Sequence, residues 1–310
     1  MVVSTTDVPP ALRDSILVKL DLFPAEDAEG ALSAWLQEAR RTLQDDQRAK
    51  LLAYFSRCGL PLYLKLAFEE ARRWRSFDQM SSCVLGDRLA GIVDVLFDRL
   101  ELDANHGKIF VSRGLGYLAA ARSGLTEDEM LDVLSADPRV WVDFKARARH
   151  DPPEHRLPVV VWSRFYLDLE PYLTERAAPG GTVVAFYQRQ IGDTAKTRCL
   201  SSGEKPRAHS ALAVCFRRRA DPAGDATWTG NDVRGLTELP FHLFSAGATA
   251  ELASVLGEIA FAAAKSAVGA VYDLLRDYDT SVPCFSVGRV EHLPLAQLSS
   301  ILYRYDMPMA

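Results

Sequence analysis

Cys58-Gly59-Leu60-Pro61-Leu62-Tyr63-Leu64-Lys65 is the stretch on which the reading of this chain turns. A glycine permits a sharp reversal of the backbone. The proline fixes its own φ and suits the first turn of a helix, where a missing N–H costs nothing. The residues that follow repeat at helical spacing, with Leu64, Ala67, Phe68 and Ala71 on one face. The local physics therefore predicts a helix that starts abruptly at a rigid apolar corner.

Working outward, the chain after Pro24 is helical in pattern. Ala28, Ala31, Leu32, Trp35, Leu36 and Ala39 form one stripe, and residues 47–55 carry a second. The Pro61 helix is predicted to run to Trp74. A loop over 77–87 leads to a fourth stripe of Leu89, Ile92, Val93, Leu96, Phe97 and Leu100. Four amphipathic helices with short connections predict a small bundle. Before it, residues 1–4 and 16–23 read as two short strands. Two lone strands make no stable sheet, so they read as the end of a larger α/β domain.

From 105 to 190 the pattern changes. A helix over 108–122 is followed by Thr126, which caps a second helix with Glu129 as its capping-box partner. Met130, Val133 and Leu134 face inward. A charged helix over 137–149 and another over 157–169 follow, the latter with Val160, Val161, Phe165 and Leu169 inward. Residues 171–187 read as a β-hairpin around Pro179-Gly180-Gly181. Helices followed by a hairpin is the winged-helix order. Beyond 190, stripes at Ala208, Ala211, Leu212, Cys215 and Phe216, at Leu252, Val255, Leu256, Ile259 and Ala263, and at Val268, Val271, Tyr272 and Leu275 predict paired helices. Another helix is read as opening at Glu238 and closing at Gly247. Residues 281–289 read as a loop, and 293–303 as a last short helix.

Composition sets limits. The chain has 310 residues, 48% hydrophobic and 25% charged, with a net charge of −5. That is an ordinary globular composition, and its acidity argues against a global footprint for nucleic acid. No apolar run reaches the roughly 18–20 residues that span a bilayer, so no membrane role is expected. Five widely spaced cysteines without a C-x-x-C pair argue against a disulfide framework or zinc site, and a cytoplasmic location is expected. The sequence contains no G-x-x-x-x-G-K-[ST] loop, no Walker B pattern, no H-E-x-x-H and no G-x-S-x-G. The six histidines are scattered and read as structural. Glu127, Asp128 and Glu129 suit the positive end of a helix. The basic runs Arg72-Arg73-Trp74-Arg75 and Arg217-Arg218-Arg219 close predicted helices, where cations are favoured.

The segment Gly59–Lys65 resembles the GLPL motif of STAND-type NTPases, the NACHT and NB-ARC families. Segments 124–135, 157–173 and 186–190 look like further blocks of that family, and the similarity runs from Val2 to about Asp279. The resemblance implies a mainly α fold: residues 1–23 as the remnant of a nucleotide-binding domain, 24–104 as a helical lid, 105–190 as a winged helix and 191–310 as a solenoid-like helical domain. It implies that Pro61 packs on adenine, and that Ser4, Thr5 and Thr6 end the strand near a γ-phosphate. Gln188 and Arg189 fall beside the phosphates, with Gln188 where the family places a histidine. Gln can donate a hydrogen bond but carries no charge. These roles hold only with a P-loop half supplied, as do the implied cofactors ADP or ATP with Mg. Alone, the chain is expected to need no cofactor, to bind adenine nucleotide weakly and to lack ATPase activity. The expected function is regulation and signalling, through protein partners or self-association. A winged-helix transcription regulator and a helical interaction scaffold are the alternatives.

Overall fold

In the computed structural model, residues 22–148 and 156–285 are described, with side chains to Ser281. The fold is mainly helical, with one two-stranded antiparallel sheet among the described residues. The strands expected over 1–4 and most of 16–23, and the helix expected over 293–303, lie outside these residues. The chain divides into two compact units between Ile92 and Val93.

The first unit contains α1 (Ala25–Glu38), α2 (Asp45–Cys58) and α3 (Pro61–Ala71), and the start of α4 (Leu89–Glu101). Ala28, Leu32 and Leu36 of α1, Leu51 and Phe55 of α2, and Leu64, Ala67, Phe68 and Ala71 of α3 form its core. The predicted face of α3 is thus the buried face. The helix ends three residues short of Trp74, at Ala71. Arg72 follows as its cap, and the chain turns through Arg73 and Trp74.

The second unit continues with α5 (Lys108–Ala120), α6 (Glu127–Ala136), α7 (Pro138–Arg147) and α8 (Val159–Leu169). A single 3₁₀ turn then leads into β1 (Leu173–Ala178), which pairs with β2 (Gly181–Phe186) from Leu173 opposite Phe186 to Ala178 opposite Gly181. Gly180, at φ 89°, makes the reversal. Leu125, just before α6, adds a bridge to Val184, with N–H to O distances of 2.8 and 3.0 Å in the two directions. On α8, Trp162, Phe165 and Leu169 face inward. Val160, expected inward, is 61% exposed. The helix starts only at Val159, and the large Trp162 takes the buried side.

Six helices follow among the described residues: α9 (Arg189–Cys199), α10 (Glu204–Ala220), α11 (Val233–Ala246), α12 (Thr249–Gly257), α13 (Ile259–Ala267) and α14 (Val271–Phe285). The helix expected to open at Glu238 begins at Val233 instead. Asp232 caps it by accepting the Gly235 N–H at 2.5 Å, and Pro240 lies inside. The stripe read as one helix through Ile259 is broken, because Glu258 is extended and its carboxylate accepts the Trp228 indole N–H at 2.6 Å. Ile259 then points outward, 53% exposed. The expected face of α14 is also rotated. Tyr272 and Leu275 are exposed, and Leu274, Asp277 and Tyr278 face inward, where Asp277 meets Lys265 and the Tyr278 hydroxyl donates to Leu256 O at 2.6 Å. The loop expected from 281 begins later, since α14 runs to Phe285.

Helices α10 and α11 pack closely because one of them carries no side chain at the crossing. A Cβ on Gly235 would come within 2.8 Å of both Ala220 N and Phe216 O. Gly235→Val is therefore expected to destabilise the fold by about 2 kcal/mol or more through overpacking. A urea midpoint unchanged from wild type would contradict that.

Candidate functional site

The Pro61 corner is built from both sides. Gly59 ends α2 in the left-handed region, φ 64°, and its N–H returns to Phe55 O at 2.8 Å. Its own carbonyl accepts the Phe23 N–H at 2.9 Å, and the Phe23 ring meets Phe55 edge-on. A Cβ at Gly59 would press on Leu22 at 3.2 Å. Leu60 is extended, as a residue before proline should be. Pro61 then opens α3 with its ring exposed, while Tyr63 is fully buried and donates to Gly86 O. Burial pushes the Tyr63 phenol well above its usual value.

Gln188 and Arg189 come together at the start of α9, directly after the hairpin. Gln188 is the half-buried residue before the helix, and its side chain makes no capping bond. Arg189 is exposed and lies 3.3 Å from Asp193 one turn on. Such a solvated pair holds little energy. Pro61 belongs to the first unit, and Ser4, Thr5 and Thr6 lie outside the described residues.

The most developed polar structure is one that the sequence reading did not identify. Glu129 is fully buried at the first turn of α6. One carboxylate oxygen accepts the Thr126 N–H at 2.8 Å, completing the predicted capping box. The other accepts Arg234 Nε of α11 at 2.5 Å. The Arg234 guanidinium, 4% exposed, also donates to Gly124 O at 2.9 Å and lies 3.8 Å from Glu238. Glu238 accepts the Ser123 hydroxyl at 2.6 Å. Its second oxygen faces His242 Nε2 at 3.8 Å, and His242 Nδ1 lies 3.0 Å from His209 Nδ1 of α10. Glu238 Oε2 and His242 Nε2 are buried without a hydrogen-bond partner, so the row is bonded at its two ends and only in ion-pair range between them. The signal was present in the sequence: Arg234, Glu238 and His242 recur every four residues on an otherwise apolar helix.

A second polar hub lies beside the first. Asp137 is buried, caps α7 through the Arg139 N–H at 2.9 Å, and accepts from Arg113 at 2.7 Å and the Tyr117 hydroxyl at 2.5 Å. Glu204, at the start of α10, takes Arg113 and Arg139. Two arginines of the Arg217–Arg219 run are likewise committed, Arg217 to Glu251 at 2.6 Å and Arg219 to Asp132 at 2.9 Å. The described cysteines Cys58, Cys83, Cys199 and Cys215 are all unpaired.

Known proteins resemble this chain along most of its length. It is 34% identical over 278 residues, 80% of the chain, to human NACHT domain- and WD repeat-containing protein 1. To the Mus musculus protein of the same name it is 33% identical over 289 residues, 83% of the chain. Telomerase protein component 1 of Mus musculus is 25% identical over 282 residues. The chain spans only 17%, 18% and 10% of the lengths of these three relatives. No family model and no solved structure matches it. The chain is a NACHT/STAND-related protein.

Breaking the Arg234–Glu129 pair from one side strands a buried charge. Glu129→Gln or Arg234→Met alone is expected to cost about 3–5 kcal/mol, and the double replacement Glu129→Leu/Arg234→Met much less. Urea unfolding of the four proteins checks this, and equal losses in single and double variants would contradict it.

The histidines set a pH dependence. Burial pushes His209 down to about 4 and His242 well below its usual 6.5. Between pH 6.5 and 4 the unfolded chain therefore binds protons that the folded chain refuses, and stability falls as the pH falls. The slope approaches roughly 1.4 kcal/mol per pH unit for each histidine. Glu238, whose carboxyl burial pushes upward, takes up its proton earlier in the folded state and softens the drop. Urea midpoints at pH 7 and 5 are expected to differ in wild type and to differ less in His209→Gln. A midpoint that rises toward pH 5 would contradict the sign.

Proposed function

We propose that this chain is the regulatory helical portion of a NACHT-type switch, which relays a nucleotide-driven movement to protein partners without a complete ATPase site of its own. The observation that carries this reading is the buried polar row from Thr126 to His209. It spans α6, α11 and α10, so a displacement at the hairpin end is felt along α11. A packed row of buried polar side chains, part hydrogen-bonded and part in ion-pair range, is a physical route for coupling when it has two arrangements.

The nucleotide roles remain with Pro61, Gln188 and Arg189. Pro61 offers an exposed apolar ring suited to an aromatic base, and the Gln188 amide is not spent on capping α9. Thr5 and Thr6 join them by resemblance. Residues 105–190 form a winged helix in this reading, with β1 and β2 as the wing. On α8, the helix that would enter DNA, Val159, Val160 and Leu167 are 51%, 61% and 64% exposed. An apolar face of this kind suits a protein partner better than a phosphate backbone. No helix of the described residues is long and apolar enough to cross a membrane. We place the protein in the cytoplasm.

Isothermal titration with ADP and Mg tests the proposal. The chain alone is expected to show no micromolar binding, because no backbone cradle for the phosphates is present in its sequence. Micromolar affinity would refute its incompetence. Joined to a P-loop half, it is expected to gain ADP binding that Pro61→Ala weakens about tenfold.

A further inference from the structure

Beside α8 lies a cleft of about 230 Å³. Its walls are apolar: Phe110 of α5, Phe144 of α7, and Val160 and Val161 of α8. Phe110 is buried and forms the floor, held edge-on against Phe165 at 5.3 Å between ring centres. Arg147 and Arg164 are exposed and stand at the mouth.

The two arginines are placed differently. Arg147 is committed: Asp143 accepts its Nε at 3.1 Å and its Nη2 at 2.5 Å, and its guanidinium lies on Gly107, where a Cβ would come within 2.6 Å of Nη1. Arg164 makes no ion pair among the described residues. The acid one turn on, Asp168, is bonded to His106 Nε2 at 2.9 Å. A positive charge therefore faces solvent beside an apolar opening, which suits an apolar group with a carboxylate next to it.

The helix α8 extends the pattern. Val160, Arg164 and Leu167 fall at i, i+4 and i+7 on one face, and all three are exposed. The two apolar ends of this strip are roughly 10 Å apart, at 1.5 Å per residue, with the charge between them. The cleft is smaller than the roughly 300–1,000 Å³ of small-molecule sites, so it takes an anchoring side chain rather than a whole ligand. Apolar anchors two turns apart with a polar contact between them are the spacing that one face of a second helix supplies.

We propose that this face of α8 docks an acidic amphipathic helix of a partner protein. One of its apolar side chains enters the cleft, a carboxylate meets Arg164, and a second apolar side chain covers Leu167. The inference rests on the reading of α8 as a partner surface given above, and it needs neither nucleotide nor a P-loop half.

The test is selection against the full chain from phage-displayed, alanine-rich peptides of about 16 residues, long enough to form a helix, randomised on one face. Enriched peptides are expected to carry two bulky apolar residues two turns apart with Asp or Glu between them, and to bind in the micromolar range. Arg164→Glu and Val160→Asp, both at exposed positions, are expected to weaken binding about tenfold or more with an unchanged melting temperature. A peptide whose acid is changed to lysine is expected to regain affinity for Arg164→Glu and not for wild type. No enrichment, enriched peptides without acids, or binding untouched by these variants would overturn the proposal. So would a concentration-dependent dimer abolished by Val160→Asp, which makes the occupant a second copy, or binding of duplex DNA or anionic vesicles that Arg164→Glu abolishes. Gain of ADP binding with a P-loop half but no peptide binding removes this surface and leaves the nucleotide relay standing. Peptide binding without that gain does the reverse.

Discussion

The Arg234–Glu129 ion pair is the constraint around which the second unit is arranged. Both groups are out of water, so each charge has a large desolvation cost that the other must offset. Glu129 can reach Arg234 only if α6 begins where Thr126 caps it. Arg234 can reach Glu129 only if α11 begins at Val233. A local signal, the capping box, and a long-range one, the ion pair, thus share a single carboxylate. The Leu125–Val184 bridge fixes the same segment from the hairpin side.

Other features follow from that placement. With Arg234 aimed at α6, Gly235 falls on the α10 crossing, where only a hydrogen fits. The next turns of α11 carry Glu238 and His242 into the same buried row, and His242 stacks on Phe216 at 5.4 Å. The connection between α10 and α11 accepts the resulting geometry: Ala226, Trp228 and Asn231 all have positive φ. Such residues are uncommon and persist where their surroundings hold them. Here the buried Trp228 ring, against Phe261 at 4.9 Å and bonded to Glu258, supplies the hold.

Much of this was legible in the sequence because it is written locally. The Gly59–Pro61 corner, the Thr126 cap, the hairpin turn at Gly180 and the face of α3 each depend on a few neighbouring residues. The misses share a cause. The start of α11, the break at Glu258 and the rotated face of α14 are tied to partners elsewhere along the chain: Glu129 for α11, Trp228 for Glu258, Lys265 for Asp277. Periodicity reads an apolar stripe and passes over a buried charge, which is how Asp277 came to replace Leu275 on the inner face. The His209–His242 contact joins residues 33 apart, and no spacing rule reports it. The resemblance placed Pro61, Gln188 and Arg189 at defined local positions, two helix starts in all.

The central claim is that α6, α10 and α11 act as one cooperative body because a buried polar row binds them. Native-state hydrogen exchange measures this directly. The account predicts that the slowest amides of the three helices open with the same free energy and lose protection together as denaturant is added. Opening of α6 at a free energy well below that of α10 and α11, with their protection intact, would contradict it.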